Sequence, residues 1–162
     1  MTKTEIQNEL KELEKKLNEL REKLNKPVNK VWKPEYENIY YYITVYGIVR
    51  ETVCINGKFD ECTWATGNCF KTKEEAEFEA ERLKVITELK RFAEEHNDPI
   101  NWEDTSQKKW SIYGVFTPEN TIRCAFVTFF KRNDIYFSSV EIAQQAISEI
   151  GEDRIKKYYL GV

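Results

Sequence analysis

The stretch Asn68-Cys69-Phe70-Lys71-Thr72-Lys73-Glu74-Glu75-Ala76 predicts the start of the longest helix in the folded part of the chain. Thr72 and Glu75 stand three residues apart, which is the spacing of a capping box, where each side chain hydrogen-bonds to the backbone N–H of the other residue. Strand-like residues precede the stretch, and helical periodicity continues to about residue 95. The stretch therefore marks a transition from strand to helix.

A second copy of this pattern occurs at Phe137-Ser138-Ser139-Val140-Glu141-Ile142-Ala143. The two stretches share the order Phe-x-(Thr/Ser)-x-Glu-x-Ala. In the second copy, Ser138 and Glu141 have the capping-box spacing. Both copies follow segments rich in β-branched and aromatic residues, which favour strands. The sequence therefore predicts one β-then-α unit that is used twice.

The segments before each helix start predict antiparallel strands separated by turn residues. The predicted strands cover residues 39–44, 48–54, 62–66, 110–116 and 121–131. We expect an α+β fold, with a two-unit ββα-ββα domain in which helices cover one face of an antiparallel sheet of about four or five strands.

An amphipathic helix precedes this domain. Its apolar residues follow a 4-3-4-3-4 spacing, which is the heptad seam of a coiled coil. They are Ile6, Leu10, Leu13, Leu17, Leu20 and Leu24. Pro27 ends the helix. Residues 1–31 are thus predicted as a helix with a linker, and residues 32–162 as the α+β domain.

Two arrangements of this N-terminal arm stay open. Three heptads give a helix that is marginal without a partner surface. The arm could drive homo-oligomerisation, or it could fold back on its own domain. In a parallel pair, Glu9 would face Glu14, and Lys16 would face Arg21, so like charges favour an antiparallel pairing. The long helix also carries two apolar stripes, and the arm is one candidate partner for the second stripe.

Length and composition bound the class of protein. The 162 residues, 14% of them aromatic, suffice for one domain with an apolar core and an appendage. No apolar run is long enough to cross a membrane, and Met1 leads into a polar helix, which together predict a cytoplasmic protein without a membrane partner. Because the net charge is −3, duplex DNA is not an expected partner.

No residue pattern indicates catalysis, a metal or a cofactor. The cysteines are irregularly spaced at Cys54, Cys62, Cys69 and Cys124, and His96 is the single histidine, which favours free thiols over a zinc site. The common motifs for nucleophilic, nucleotide-binding and metalloprotease sites do not occur. We therefore expect a protein that is not an enzyme and needs no cofactor.

A binding surface is the better candidate. If helices cover one sheet face, strand alternation places aromatic and basic side chains on the other. Aromatic rings beside Arg or Lys can stack on bases and hold phosphates. Burial of this face by the terminal helix or a second subunit is the alternative. The predicted ligand- or partner-binding residues are Tyr40, Tyr42, Trp102, Tyr113, Arg123, Phe129 and Lys131.

Segments along nearly the whole chain carry a resemblance to a known group of proteins. They are the heptad arm, Trp32-Lys33-Pro34, Tyr40-Tyr41-Tyr42, residues 67–77, 82–85, 88–90, 137–139, 141–144 and 151–159. In these segments the chain resembles a family of small proteins encoded by phages and prophages of low-GC Gram-positive bacteria. The resemblance carries no assigned catalytic residues.

The resemblance implies a phage context, in which small accessory proteins often act against host defence systems. The expected function is an accessory binding protein, a counter-defence inhibitor that binds a host protein or nucleoprotein complex in an anti-CRISPR-like way. One alternative is an oligomeric sponge that sequesters a nucleotide immune signal. Another is a structural phage protein whose arm drives assembly. The sequence specifies neither the target nor the oligomer number.

Overall fold

A computed structural model of the chain describes residues 11–17, 31–115 and 121–162. The chain divides into two units, residues 1–33 and 34–162. In the first unit, residues 11–17 form helix α1, on which Leu13 and Leu17 are exposed. The remaining heptad positions lie outside the described residues, so the coiled-coil arm stays a prediction. They are Ile6, Leu10, Leu20 and Leu24.

The second unit begins with a β-hairpin. Strands β1 (Ile39–Ile43) and β2 (Val49–Val53) pair antiparallel, with Tyr41 opposite Glu51. Both strands lie where β-branched and aromatic residues predict them. Gly47 adopts a φ of 74° in the connecting turn, a conformation that glycine adopts without steric cost.

Helix α2 (Lys58–Ala65) follows the hairpin, and the predicted strand over residues 62–66 is wrong. Local hydrogen bonds explain the helix. The carboxylate of Asp60 accepts from the backbone N–H of Gly57 at 2.9 Å and of Ile55 at 3.0 Å, which satisfies donors at the helix start. The apparent alternation of Cys62, Thr63 and Trp64 covers too few residues to compete with this capping.

Helix α3 (Lys73–His96) starts at the stretch that the sequence singles out. The Thr72 hydroxyl accepts from the N–H of Glu75 at 3.2 Å, and the Glu75 carboxylate accepts from the N–H of Thr72 at 3.2 Å. The predicted capping box is therefore confirmed.

Strands β3 (Lys109–Val115) and β4 (Thr121–Val127) form a second antiparallel hairpin, which is followed by helix α4 (Val140–Ile150). The predicted box of Ser138 with Glu141 is wrong, because Ser139 caps α4 by accepting from the N–H of Ile142 at 3.2 Å. Ser138 instead accepts from the N–H of Asp98 at 3.0 Å, which fixes the chain that leaves α3.

The four described strands form two separate two-stranded sheets, which corrects the prediction of one sheet with four or five strands. The first strand of each hairpin also forms one isolated antiparallel β-bridge. Tyr41 of β1 pairs with Phe70, and Trp110 of β3 pairs with Phe137. Beside the first bridge, the side-chain amide of Asn68 bonds both the N–H and the carbonyl of Ile43 at 2.8 Å. These residues occupy the edges that further strands would need. The architecture is mixed α+β.

The prediction of helices on one sheet face is also wrong for the first hairpin. Helix α2 lies against the side of β1 that carries Tyr40. Helix α3 contacts both strands, and Ile43 and Val49 line grooves with Ala80 of this helix. Since Tyr40 and Ile43 point to opposite faces of a strand, the two helices enclose the hairpin.

The main core lies between α3, the second hairpin and α4. Its buried residues are Val85, Leu89, Phe92, Ala93, Ile112, Phe137, Ala143, Ala146, Ile150 and Ile155. The chain ends in a short helix α5 (Glu152–Arg154) and a π-helical turn (Ile155–Leu160), and this turn packs on α3 through the rings of Tyr158 and Phe78, 5.2 Å apart. Among the described residues, no helix has the length and apolar content needed to cross a membrane.

The apolar stripe of α3 that contains Phe78, Val85, Leu89 and Phe92 has packing partners that the sequence did not predict. Helix α4 and the C-terminal turn both contact α3. The guanidinium of Arg154 donates to both carboxylate oxygens of Glu88, at 2.7 and 3.1 Å, and strengthens this contact. The C-terminus also packs closely over Gly114, where an added Cβ would lie 3.0 Å from a methyl group of Val162.

Candidate binding surface on the second hairpin

The seven predicted binding residues do not share one face. Tyr40 and Tyr42 belong to the first hairpin, and the other five belong to the second hairpin and its neighbouring loops. Tyr40 is 0% exposed, so its prediction as a surface residue is wrong. The half-buried Tyr42 packs edge-on against Phe59 of α2, with 5.1 Å between ring centres. Helix α2, which the sequence did not reveal, covers this face.

Tyr40 instead anchors a buried polar network. Its hydroxyl donates to Asp60 at 2.8 Å and lies 3.1 Å from the Thr63 hydroxyl. The hydrogen bond from Tyr40 is the main cause that lowers the pKa of Asp60, and backbone N–H donors add to it. Burial raises the pKa of Tyr40 to about 12. Because every polar atom is paired, the network is suited to holding α2 on β1.

Two of the four cysteines, Cys69 and Cys124, have thiols whose pKa is raised. Burial is the main cause that raises the pKa of Cys69 to about 11, and nearby Cys54 and Asp60 add to it. Burial also raises the pKa of Cys124. A thiol with a raised pKa is a poor nucleophile, because the thiolate is the reactive form. Within the part of the chain that the structure describes, no three potential metal-binding side chains lie together.

The second hairpin has an inner and an outer face. Ile112 is buried, and its cross-strand partner Cys124 packs against the same core. Strand alternation places Tyr113 and Arg123 on the opposite, outer face. These two residues are direct cross-strand partners, and both are exposed. The structure therefore brings together two of the predicted binding residues.

A tryptophan with two ammonium groups lies at the end of this hairpin. The Nζ atoms of Lys131 and Lys109 lie 5.5 and 5.6 Å from the ring centre of Trp102, within cation–π range. Tyr136 meets the same ring edge-on at 4.8 Å. The half-buried Trp102 is thus held on several sides.

Lys109 explains how the loop before β3 reaches this position. Its side chain is fully buried, and its ammonium group donates to the backbone carbonyls of Asp104 and, at 3.1 Å, of Thr128. This side chain therefore ties the 97–108 loop to the end of β4 and seats Trp102 there. Lys109 lies on the same outer face of β3 as Tyr113. The two residues are four positions apart, which corresponds to about 13 Å along the strand.

We call Trp102, Tyr113, Arg123 and Lys131 the basic strip. The described residues 105–115 and 121–133 contain no Asp or Glu, although the whole chain has a net charge of −3. They contain five basic residues, which are Lys108, Lys109, Arg123, Lys131 and Arg132. These described residues therefore form a local positive region on a protein of net negative charge. Lys109 is buried, which leaves the other four basic side chains, and Glu119 lies in the connection between the two strands.

Further aromatic rings border the strip. Phe129 is 74% exposed and lies 5.2 Å from Phe130, edge to face. Arg132 lies 4.9 Å from the ring centre of Phe130. Lys108 lies 4.7 Å from the ring centre of Phe126, but strand alternation places Phe126 on the face of Cys124, opposite the strip. Sequence reasoning missed these two basic residues. Antiparallel pairing of the predicted strands could have revealed them, since it brings residues 108–109 and 131–132 to the same end of the hairpin.

Comparison with known proteins found no matching family model, no similar curated protein and no similar solved structure.

Proposed function

We propose that this chain is a non-enzymatic binding protein that uses the basic strip to capture an acidic surface of a host protein complex. In the phage context implied by the sequence resemblance, this activity is that of a counter-defence inhibitor. The observation that carries the proposal is that the described residues 105–115 and 121–133 carry five basic and no acidic side chains, on a chain with a net charge of −3. Charge complementarity of this kind steers association and selects partners.

The composition of the strip supports a protein partner. Arg, Trp and Tyr are the side chains that most often dominate the binding energy of protein interfaces. Tyr113 and Arg123 lie side by side, and Trp102 is preorganised by Lys109, which reduces the conformational entropy lost on binding. The exposed ring of Phe129 adds apolar area at the border.

Capture of a nucleotide signal is the second candidate, and the exposed pair of Tyr113 and Arg123 favours it. An aromatic ring beside a guanidinium can stack on a base and hold a phosphate. Two observations weigh against it. The ring of Trp102 already contacts two ammonium groups and Tyr136, which limits its use for base stacking. A groove of about 770 Å³ beside the first hairpin is lined by equal numbers of Lys and Glu.

The double variant Arg123→Glu/Lys131→Glu is expected to weaken capture of the host partner roughly 10- to 100-fold, because each change replaces attraction with repulsion at the interface. The immobilised full chain is incubated with host lysate, the retained protein is identified by mass spectrometry, and its affinity for each variant is then measured with purified components. Lys58→Glu/Lys71→Glu, which changes two exposed lysines and the same net charge, is expected to bind as the wild type does.

Other results would contradict the proposal. If the two double variants bind the host partner with equal affinity, the basic strip is not part of the interface. If lysate of phage-infected host cells is used, recovery of phage particle components alone would favour a structural role. A large thermal stabilisation by one member of a nucleotide panel, lost in Arg123→Glu, would favour the nucleotide sponge.

A further inference from the structure

The tip of the first hairpin presents two apolar side chains to solvent on a rigid turn. Val45 is 95% exposed and Tyr46 is 85% exposed, more than any other large hydrophobic residue that the structure describes. Thr44 holds the turn by backbone hydrogen bonds of 2.9 Å with Ile48 and with Gly47. Its hydroxyl also accepts from the N–H of Ile48 at 3.1 Å. Turns are normally built from small and polar residues, so this tip is suited to contact another surface.

A groove lies directly beside the tip. One cavity of about 770 Å³ and one of about 330 Å³ share Gly47, Ala80 and Lys84, so they form one continuous groove between the hairpin and α3. Apolar side chains line it on both sides, and two of them, Phe78 and Leu83, are 41% and 46% exposed. The apolar tip, which protrudes like a knob, therefore lies next to the apolar groove, which forms a recess.

The charges that line this groove are balanced. Four are basic and four are acidic: Lys73, Lys84, Arg91 and Lys157, with Glu74, Glu77, Glu81 and Glu88. A strongly charged partner would gain nothing from such a rim. A second copy of the same surface would meet neither net repulsion nor an excess of one sign.

We propose that the tip of one copy inserts into the groove of a second copy, and that the second tip inserts reciprocally into the first groove. A two-fold interface needs a surface that is complementary to itself, and an adjacent knob and recess provide it. Each buried Tyr removes about 150–250 Å² from solvent, so two tips give an interface below the standard size. The association is therefore weak and depends on protein concentration.

This interface is separate from the basic strip, because the strip lies on the other hairpin and shares no residue with the tip or the groove. It is also separate from the predicted pairing of the heptad arm. The experiment therefore uses the full chain and, in parallel, the full chain with Leu13→Glu/Leu17→Glu, in which the arm seam carries like charges.

Light scattering across a concentration series is expected to show a rising mass for both chains. Tyr46→Asp is introduced both into the full chain and into the arm variant. In each background it is expected to raise the midpoint, which is the protein concentration at which half of the molecules associate through the tip, at least tenfold. Tyr36→Asp is the matched control, since Tyr36 is 60% exposed and lies outside the groove, and its midpoint is expected to stay unchanged. Circular dichroism spectra of all variants check that each of them remains folded.

A mixing experiment tests the reciprocal geometry. Leu83→Lys damages the recess but keeps the tip, whereas Tyr46→Asp damages the tip but keeps the recess, and in the mixed pair the two substituted positions bring opposite charges together. Each variant alone is expected to associate poorly. Their mixture is expected to recover part of the association, because one intact tip then meets one intact recess. A constant monomer mass for the wild type in the arm-variant background, an unchanged midpoint for Tyr46→Asp, or no recovery on mixing would overturn the proposal.

Discussion

Replacement of Tyr40 by alanine is expected to lower the free energy of unfolding by roughly 3–5 kcal/mol, because it removes a fully buried aromatic side chain. The loss has two parts. The missing ring leaves a cavity between β1 and α2, and the missing hydroxyl leaves Asp60 and Thr63 without their shared partner. Since a domain of this size is stable by only about 5–15 kcal/mol, the substitution removes a large fraction of the total.

Urea denaturation of a matched set measures this effect. Tyr40→Phe keeps the ring and deletes only the hydroxyl, so it is expected to cost about 1–3 kcal/mol. Tyr46→Ala truncates a tyrosine that is 85% exposed and is expected to change stability by no more than about 0.5 kcal/mol. If Tyr40→Ala costs no more than Tyr46→Ala, the network does not hold α2 on the hairpin.

Phe137→Ala is the second large effect, with an expected loss of roughly 3–5 kcal/mol. The side chain of Phe137 is 1% exposed, and its backbone exchanges hydrogen bonds of 2.8 and 2.7 Å with Trp110. Its ring packs with Ile112 and Ala143 in the main core. Truncation therefore loosens the start of α4 from both the second hairpin and α3.

Phe70 provides the matched control, since it occupies the equivalent position before α3 and makes the equivalent bridge to Tyr41. Its side chain is only half-buried, so Phe70→Ala is expected to cost clearly less than Phe137→Ala. The comparison is made by urea denaturation under identical conditions. Equal losses would mean that burial of the ring does not set the contribution of these two positions.

The helix starts were largely predictable because capping is local chemistry. Thr72 and Glu75 satisfy each other over three residues, and no distant group decides the outcome. At the second start, two adjacent serines compete for the cap. Ser139 takes it, because Ser138 is held by the N–H of Asp98, forty residues earlier. The shared order of the two copies also places Ser139, and not Ser138, at the position of Thr72, so alignment of the copies would have predicted this cap.

The surface was predictable in part for a similar reason. Alternation along β3 and β4 correctly paired Tyr113 with Arg123 on one face. Alternation also grouped Tyr40 with Tyr42, but their exposure depends on α2, whose start is set by the carboxylate of Asp60 and by no strong sequence motif. The place of Trp102 depends on the buried contacts of Lys109, which a sequence pattern does not reveal.

Hydroxyl-radical footprinting of the captured complex tests the central claim, that the basic strip is the partner-binding surface. The oxidation of aromatic side chains is measured, because exposed aromatic rings react readily with hydroxyl radicals. We expect Tyr113, Trp102 and Phe129 to lose reactivity when the host partner binds. Tyr36 lies just before β1 and is 60% exposed, and it is expected to keep its reactivity. Unchanged reactivity of Tyr113 and Trp102 in a saturated complex would contradict the account.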